Sequence, residues 1–100
     1  MADHRGYELV EVARKSGKIK KGTNEATKML ERGTAKAIVY AADVTPKEIV
    51  MHIPLLAKEK GILCIEVPSK EELGAAAGLS KPTAAIAIMD AGDAKGLLKD

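Results

Sequence analysis

Residues 37–42, Ala37-Ile38-Val39-Tyr40-Ala41-Ala42, are apolar without interruption. A strand with one wet face alternates apolar and polar residues, whereas a strand covered on both faces does not. The run therefore reads as a strand with a layer packed above it and another below. Two further runs read as strands, Ile62-Leu63-Cys64-Ile65-Glu66-Val67, broken only by Glu66, and Ala84-Ala85-Ile86-Ala87-Ile88-Met89. The segments between them carry a helical period instead. In the second helical segment Ala26, Met29, Leu30 and Gly33 fall at i, i+3, i+4 and i+7, a single buried stripe. Strands alternating with helices, and strands buried on both sides, predict a three-layer α/β/α sandwich.

The remaining elements follow outward from these. Tyr7 to Lys15 reads as a short helix with Leu9, Val12 and Ala13 inward, ended by Ser16-Gly17. Lys18 to Lys21 is a short extended piece carrying Ile19. Gly22-Thr23-Asn24 introduces the second helix, with Thr23 or Asn24 expected to cap it, and Gly33 stops it. Asp43 to Lys47 reads as a turn. Pro54 fits the first turn of a helix running to about Lys60 and closed by Gly61. Ser69 with Glu72 three residues on has the form of a capping box for a helix reaching about Ala77. Gly78 to Pro82 reads as a loop, and Ala94 to Lys99 as a short terminal helix. There is no internal repeat, no low-complexity segment and no linker.

The 100 residues suit one domain over 1–100. With 46% hydrophobic residues a core is available, but it contains no Trp or Phe, so aliphatic side chains must fill it. Cys64 is the single cysteine, which excludes an intrachain disulfide and a cysteine-only zinc site and fits a reducing, cytoplasmic setting. Met1 to Gly6 is polar, with no signal-peptide core, and no apolar run approaches the roughly 20 residues of a membrane span. His4 and His52 do not form a metal-spaced cluster, and no Gly-rich phosphate loop follows a strand. No metal or cofactor is expected.

The formal net charge is only +2, but its distribution is uneven. Arg14, Lys15, Lys18, Lys20, Lys21, Lys28, Arg32 and Lys36 are opposed within that stretch only by Glu25 and Glu31. The stretch carries +6 and the rest of the chain −4. A basic segment on a mildly acidic body points to a localised polyanion site; the plainer alternative is a solvated surface. Asn24, Glu25, Lys28 and Arg32 lie off the buried stripe, towards solvent. Stacking of single-stranded bases needs exposed aromatic rings, and this chain has only Tyr7 and Tyr40, the latter expected to be buried. Double-helical RNA hides its base edges in a narrow major groove. An irregular RNA with opened base edges remains. Glu25 fits it, because a carboxylate repels phosphates but accepts hydrogen bonds from base N–H groups; equally, it can complement the helix dipole. Cys64, His52 and Asp43 offer a competing Cys–His–Asp catalytic set. Cys64 lies inside an apolar strand and His52 just before a helix, positions usually filled for packing or capping.

Lys20-Lys21-Gly22-Thr23-Asn24-Glu25-Ala26-Thr27-Lys28 with Glu31-Arg32-Gly33 resembles the signature of the L-seven-Ae ribosomal protein family. So do Ala42-Asp43-Val44 with Pro46-Lys47-Glu48-Ile49, His52-Ile53-Pro54-Leu55-Leu56, Val67-Pro68-Ser69-Lys70, Leu73-Gly74 and Ala77-Gly78. The resemblance runs from about Leu9 to Met89 and is nearest in character to archaeal members. It implies a four-stranded mixed sheet in the sandwich, and binding to kink-turn RNA, whose bend carries tandem sheared G·A pairs. It assigns Asn24, Glu25 and Lys28 to those pairs. Flanking contacts fall to Lys20, Lys21, Gly22, Thr23, Arg32 and Lys70. Leu79, Ser80, Lys81 and Pro82 would pack on a flipped-out nucleotide. Archaeal members commonly have an apolar–Glu–Val sequence in this loop; Leu79-Ser80-Lys81-Pro82 is closer to eukaryotic relatives of box C/D and spliceosomal particles. Implied partners are ribosomal RNA, box C/D and H/ACA guide RNA, ribonuclease P RNA in some members, and a Nop-type scaffold protein, with the free protein a monomer and itself not an enzyme. Two alternatives stand beside this: a module of the same fold using the surface for protein contacts, as in translation-termination and ribosome-rescue proteins, and a small cysteine hydrolase.

Overall fold

The computed structural model describes residues 4–43, 51–90 and 92. In chain order the described residues form α1 (His4–Ser16), β1 (Lys18–Lys21), α2 (Thr23–Arg32), β2 (Ala37–Ala41), α3 (His52–Lys60), β3 (Leu63–Val67), α4 (Lys70–Ala76) and β4 (Ala85–Asp90). The strands make one mixed sheet in the order β1-β4-β2-β3. β4 runs antiparallel to both β1 and β2, and β2 runs parallel to β3. On the sheet α1 packs with α4 and α2 with α3. Two helix pairs around inner strands that are buried on both faces make the expected α/β/α sandwich.

The apolar runs place themselves by their burial. β2 and β4, the two inner strands, are almost wholly buried. β3 is an edge strand, so Leu63 and Cys64 are only half-buried and Glu66 is exposed. Burial on both faces, expected for all three runs, therefore holds for the two inner strands and only partly for β3. The core is filled by Leu9 and Val10 of α1, Leu30 of α2, Ile38 and Val39 of β2, Ile53 of α3, Leu73 of α4, and Ile86 and Ile88 of β4, all fully buried. Each such side chain contributes about 1.5–3 kcal/mol by leaving water.

Helix ends show which local signals were sufficient. Gly33 and Gly61 end α2 and α3 in the left-handed conformation, as expected from their positions. Ser69 Oγ accepts the Glu72 N–H at 3.2 Å, so half of the capping box forms. The other half does not come from Glu72: the Ser69 N–H donates to the Tyr7 hydroxyl at 3.0 Å. Burial, with Glu72 nearby, pushes the Tyr7 phenol above its usual pKa. The expected cap of α2 is also different. Its N-cap is Gly22, and neither Thr23 nor Asn24 makes a side-chain capping bond. The helix starts one residue earlier than a Thr23 cap requires and two earlier than an Asn24 cap, because the Gly22 carbonyl already accepts the Ala26 N–H at 2.9 Å. α1 begins at His4 rather than Tyr7. The turn expected over Asp43 to Lys47 lies mostly, and the helix over Ala94 to Lys99 wholly, outside the described residues.

Candidate nucleic-acid interface

A row of hydrogen bonds across one end of the sheet gathers segments distant in sequence. Gly22 N–H donates to Ala85 O at 2.9 Å, and Ala41 N–H donates to Ala84 O at 2.9 Å. The Asp43 carboxylate accepts the Lys70 N–H at 2.8 Å, and Lys70 O accepts the Thr83 N–H at 3.1 Å. The start of α2, the end of β2, the start of α4 and the 79–83 loop thus share one end of the molecule. Asp43, read from sequence as a turn residue and as a possible triad member, serves to satisfy the first turn of α4.

Gly22 decides how the basic segment meets α2. Its φ of 99° and ψ of 152° belong to a region that only glycine occupies comfortably. The chain leaves β1 there and turns directly into the helix. Thr23 and Asn24 are freed from capping, so their side chains remain available at the first turn. Glu25, Lys28 and Arg32 follow at i, i+3 and i+7 on one face, while Ala26, Met29 and Leu30 are buried on another. Arg32 stands in the last turn, about 13 Å along the axis from Thr23 by helical rise. Lys20 and Lys21 are exposed on β1.

Glu25 is paired with Lys28, Oε2 to Nζ 3.7 Å, with side-chain exposures of 42% and 58%. A pair this exposed contributes at most about 1 kcal/mol to stability. Its consequence is to place a half-exposed carboxylate beside an ammonium group in a segment where bases outnumber acids.

Beside this helix start lies an open cleft of about 310 Å³ lined by Lys21, Gly22, Leu79, Ser80, Lys81, Pro82 and Thr83. It joins two segments nearly sixty residues apart, both singled out from sequence. Thr83 was not. Among the described residues it is the buried polar one, with its hydroxyl donating to Ala85 O at 3.3 Å. No local pattern marks it, because its place depends on the loop folding back over the sheet end. Lys70 adjoins the same loop through its backbone.

The catalytic alternative gains nothing from the geometry. His52 Nε2 lies 2.9 Å from Thr27 Oγ1 and ties α3 to α2. Burial, with Glu66 adding, pushes the Cys64 thiol up to about 11, so it is protonated at neutral pH and a poor nucleophile. Tyr40 is half-buried and its phenol is pushed up to about 12, by burial first and then by Glu66 and Cys64. We expect His52→Ala and Cys64→Ser to leave RNA affinity unchanged, with His52→Ala costing about 0.5–1.5 kcal/mol of stability for the lost bond. Cys64 should alkylate slowly in the native protein and readily in urea. A turnover abolished by Cys64→Ser would overturn this assignment.

Comparison with known proteins agrees with the architecture. The chain is 58% identical, over 88 residues, to the large ribosomal subunit protein eL8 of Nitrosopumilus maritimus (strain SCM1), covering 88% of this chain and 69% of that protein. Its structure is similar to that of the Giardia lamblia 15.5kD RNA binding protein, with a TM-score of 0.82 and 32% identity over 98% of this chain and 84% of the other. The model of the ribosomal protein L7Ae/L30e/S12e/Gadd45 family matches residues 4–98. The family match spans nearly the whole chain, and the protein belongs to the ribosomal protein L7Ae/L30e/S12e/Gadd45 family.

Proposed function

We propose that the chain is a single RNA-binding domain that recognises kink-turn RNA and serves as a component of the large ribosomal subunit and of box C/D and H/ACA guide ribonucleoproteins. A soluble particle of the cytoplasm is its setting, and ribonuclease P RNA is a further target of the same kind. The observation that carries the reading is Glu25. It is half-exposed, pairs with Lys28, and belongs to the basic segment that also carries Lys20, Lys21 and Arg32. A surface that only neutralised phosphates would exclude a carboxylate; a surface that reads opened guanine N–H groups requires an acceptor. Asn24 and Lys28 supply further polar groups one turn apart on the same helix. The cleft between Lys21-Gly22 and Leu79 to Thr83 suits a nucleotide turned out of the bend. Ribosomal and RNA-binding relatives support an RNA partner.

In guide particles a Nop-type scaffold would sit beside the RNA. Met51 and Leu55, 59% and 71% exposed, belong to the start of α3, which packs on α2, and are the apolar surface such a scaffold would cover. The decisive experiment is a gel-shift with a kink-turn RNA beside a version whose G·A pairs are replaced. Selective binding to the first is expected; equal binding to both overturns the reading. Affinity should also fall steeply with salt, since each phosphate contact releases counterions. Lys21→Ala should lower affinity for both RNAs and reduce the salt slope by about one contact. An unchanged slope would place Lys21 outside the interface.

A further inference from the structure

We infer that Gly74, a residue of α4 that does not line the cleft, is the positioning residue that sets the cleft's shape and hence its selectivity for an extruded base. This rests on the RNA reading above. Gly74 is buried in the middle of α4, and its φ is not in the left-handed region. Its own backbone therefore does not require glycine, and alanine would be the better helix former there by about 0.8–1.0 kcal/mol. Glycine is required for what lies against it. A Cβ at this position would fall 2.2 Å from the Lys81 carbonyl oxygen and 3.1 Å from both the Lys81 carbonyl carbon and Pro82 Cα. These are backbone atoms, so no side-chain rotation relieves the clash, and the distance must open from 2.2 to at least 3.0 Å.

The loop that must give way is the wall of the cleft. Leu79 to Thr83 has no regular structure, and its backbone is held to α4 at both ends: Leu79 N–H donates to Gly74 O at 2.9 Å, and Thr83 N–H to Lys70 O at 3.1 Å. Between those anchors the Lys81 carbonyl rests on Gly74. The orientation of the Lys81-Pro82 peptide, and with it the direction in which Ser80 and Lys81 present themselves, is set by the absence of a side chain at position 74. A methyl group there lifts the loop off α4 and reshapes the 310 Å³ cleft, without touching Asn24, Glu25 or Lys28.

The test uses the full chain and two RNAs, a kink-turn with its extruded nucleotide intact and the same RNA abasic at that nucleotide. The parent protein should prefer the intact RNA about tenfold, the scale of one packed base. Gly74→Ala should lose most of that preference by weakening on the intact RNA while changing little on the abasic one. Its Leu79 amide should exchange faster with solvent. Ala75→Gly, at an exposed position of the same helix, loosens it without touching the seat and should keep the parent's preference. Should melting show Gly74→Ala unfolded, Pro82→Gly loosens the seat from the loop side and is expected to reduce the same ratio. A parent that binds both RNAs equally, or folded variants that keep its ratio, would overturn the inference. A parent that does not distinguish the kink-turn from its G·A-replaced version overturns the RNA reading itself, so the two failures are separable.

Discussion

Glu25→Ala is expected to weaken kink-turn binding about tenfold or more, although it removes a negative charge from a surface that meets a polyanion. Electrostatics alone predicts the opposite sign, since phosphates approach more easily once a carboxylate is gone. Base reading predicts a loss, because the guanine N–H groups exposed by sheared pairing would face no acceptor. One good base contact is worth about 1–3 kcal/mol, about 5- to 150-fold in affinity. The Glu25–Lys28 pair, 3.7 Å apart, sets an acceptor and a donor side by side on one face of the helix. Asn24→Ala and Lys28→Ala should cost comparable amounts. All three losses should shrink on an RNA whose G·A pairs have been replaced, because the contact is then already missing. Melting curves control for helix stability, which Glu25 supports through the helix dipole by about 0.3–1 kcal/mol. A folded Glu25→Ala protein that binds as well as the parent would remove the basis for base reading at α2.

Gly22→Ala should combine a stability loss with a binding loss. Beyond the adjoining residues 21 and 23, nothing lies within 4 Å of where a Cβ would stand, so crowding is not the cause. The cause is conformational: at φ 99° and ψ 152° an L side chain costs about 1–3 kcal/mol. For a domain of this size each kcal/mol lowers the melting temperature by about 4–8 °C. The backbone can relieve the strain only by rotating at position 22. That rotation disturbs the Gly22–Ala85 and Ala26–Gly22 hydrogen bonds and turns the first helical turn away from the sheet end. Kink-turn affinity should then fall on the order of tenfold or more, since several base contacts are misdirected together. Calorimetry and gel-shift on the same preparation would check both halves. Unchanged melting would mean that position 22 does not hold a positive φ in solution, and unchanged affinity that the strand-to-helix turn does not aim the reading residues.

The candidate interface was legible in the sequence where its residues are local. Glu25, Lys28 and Arg32 share a face because of helical periodicity, and the buried stripe of Ala26, Met29 and Leu30 follows from the same rule. What capping rules missed was the start of that helix. Thr23 and Asn24 have the chemistry of caps, yet a glycine fills the position. The reason is tertiary: the Gly22 N–H is drawn to Ala85 across the sheet, and that fixes a backbone conformation only glycine tolerates. The capping box at Ser69 failed by half for a similar reason, since the Tyr7 hydroxyl, brought in by the packing of α1 on α4, took the place of Glu72.

By itself the sequence determined the alternation of strands and helices, the stops at Gly33 and Gly61, and the concentration of positive charge between Arg14 and Lys36, because each depends on neighbours within a turn or two of chain. The strand order β1-β4-β2-β3, and with it the meeting of Lys21-Gly22 with the 79–83 loop, comes from long-range packing. Strand pairing across β4 is long-range and leaves no period in the sequence. The same holds for Gly74, whose necessity comes from a carbonyl seven residues away in a loop that folds back onto its own helix.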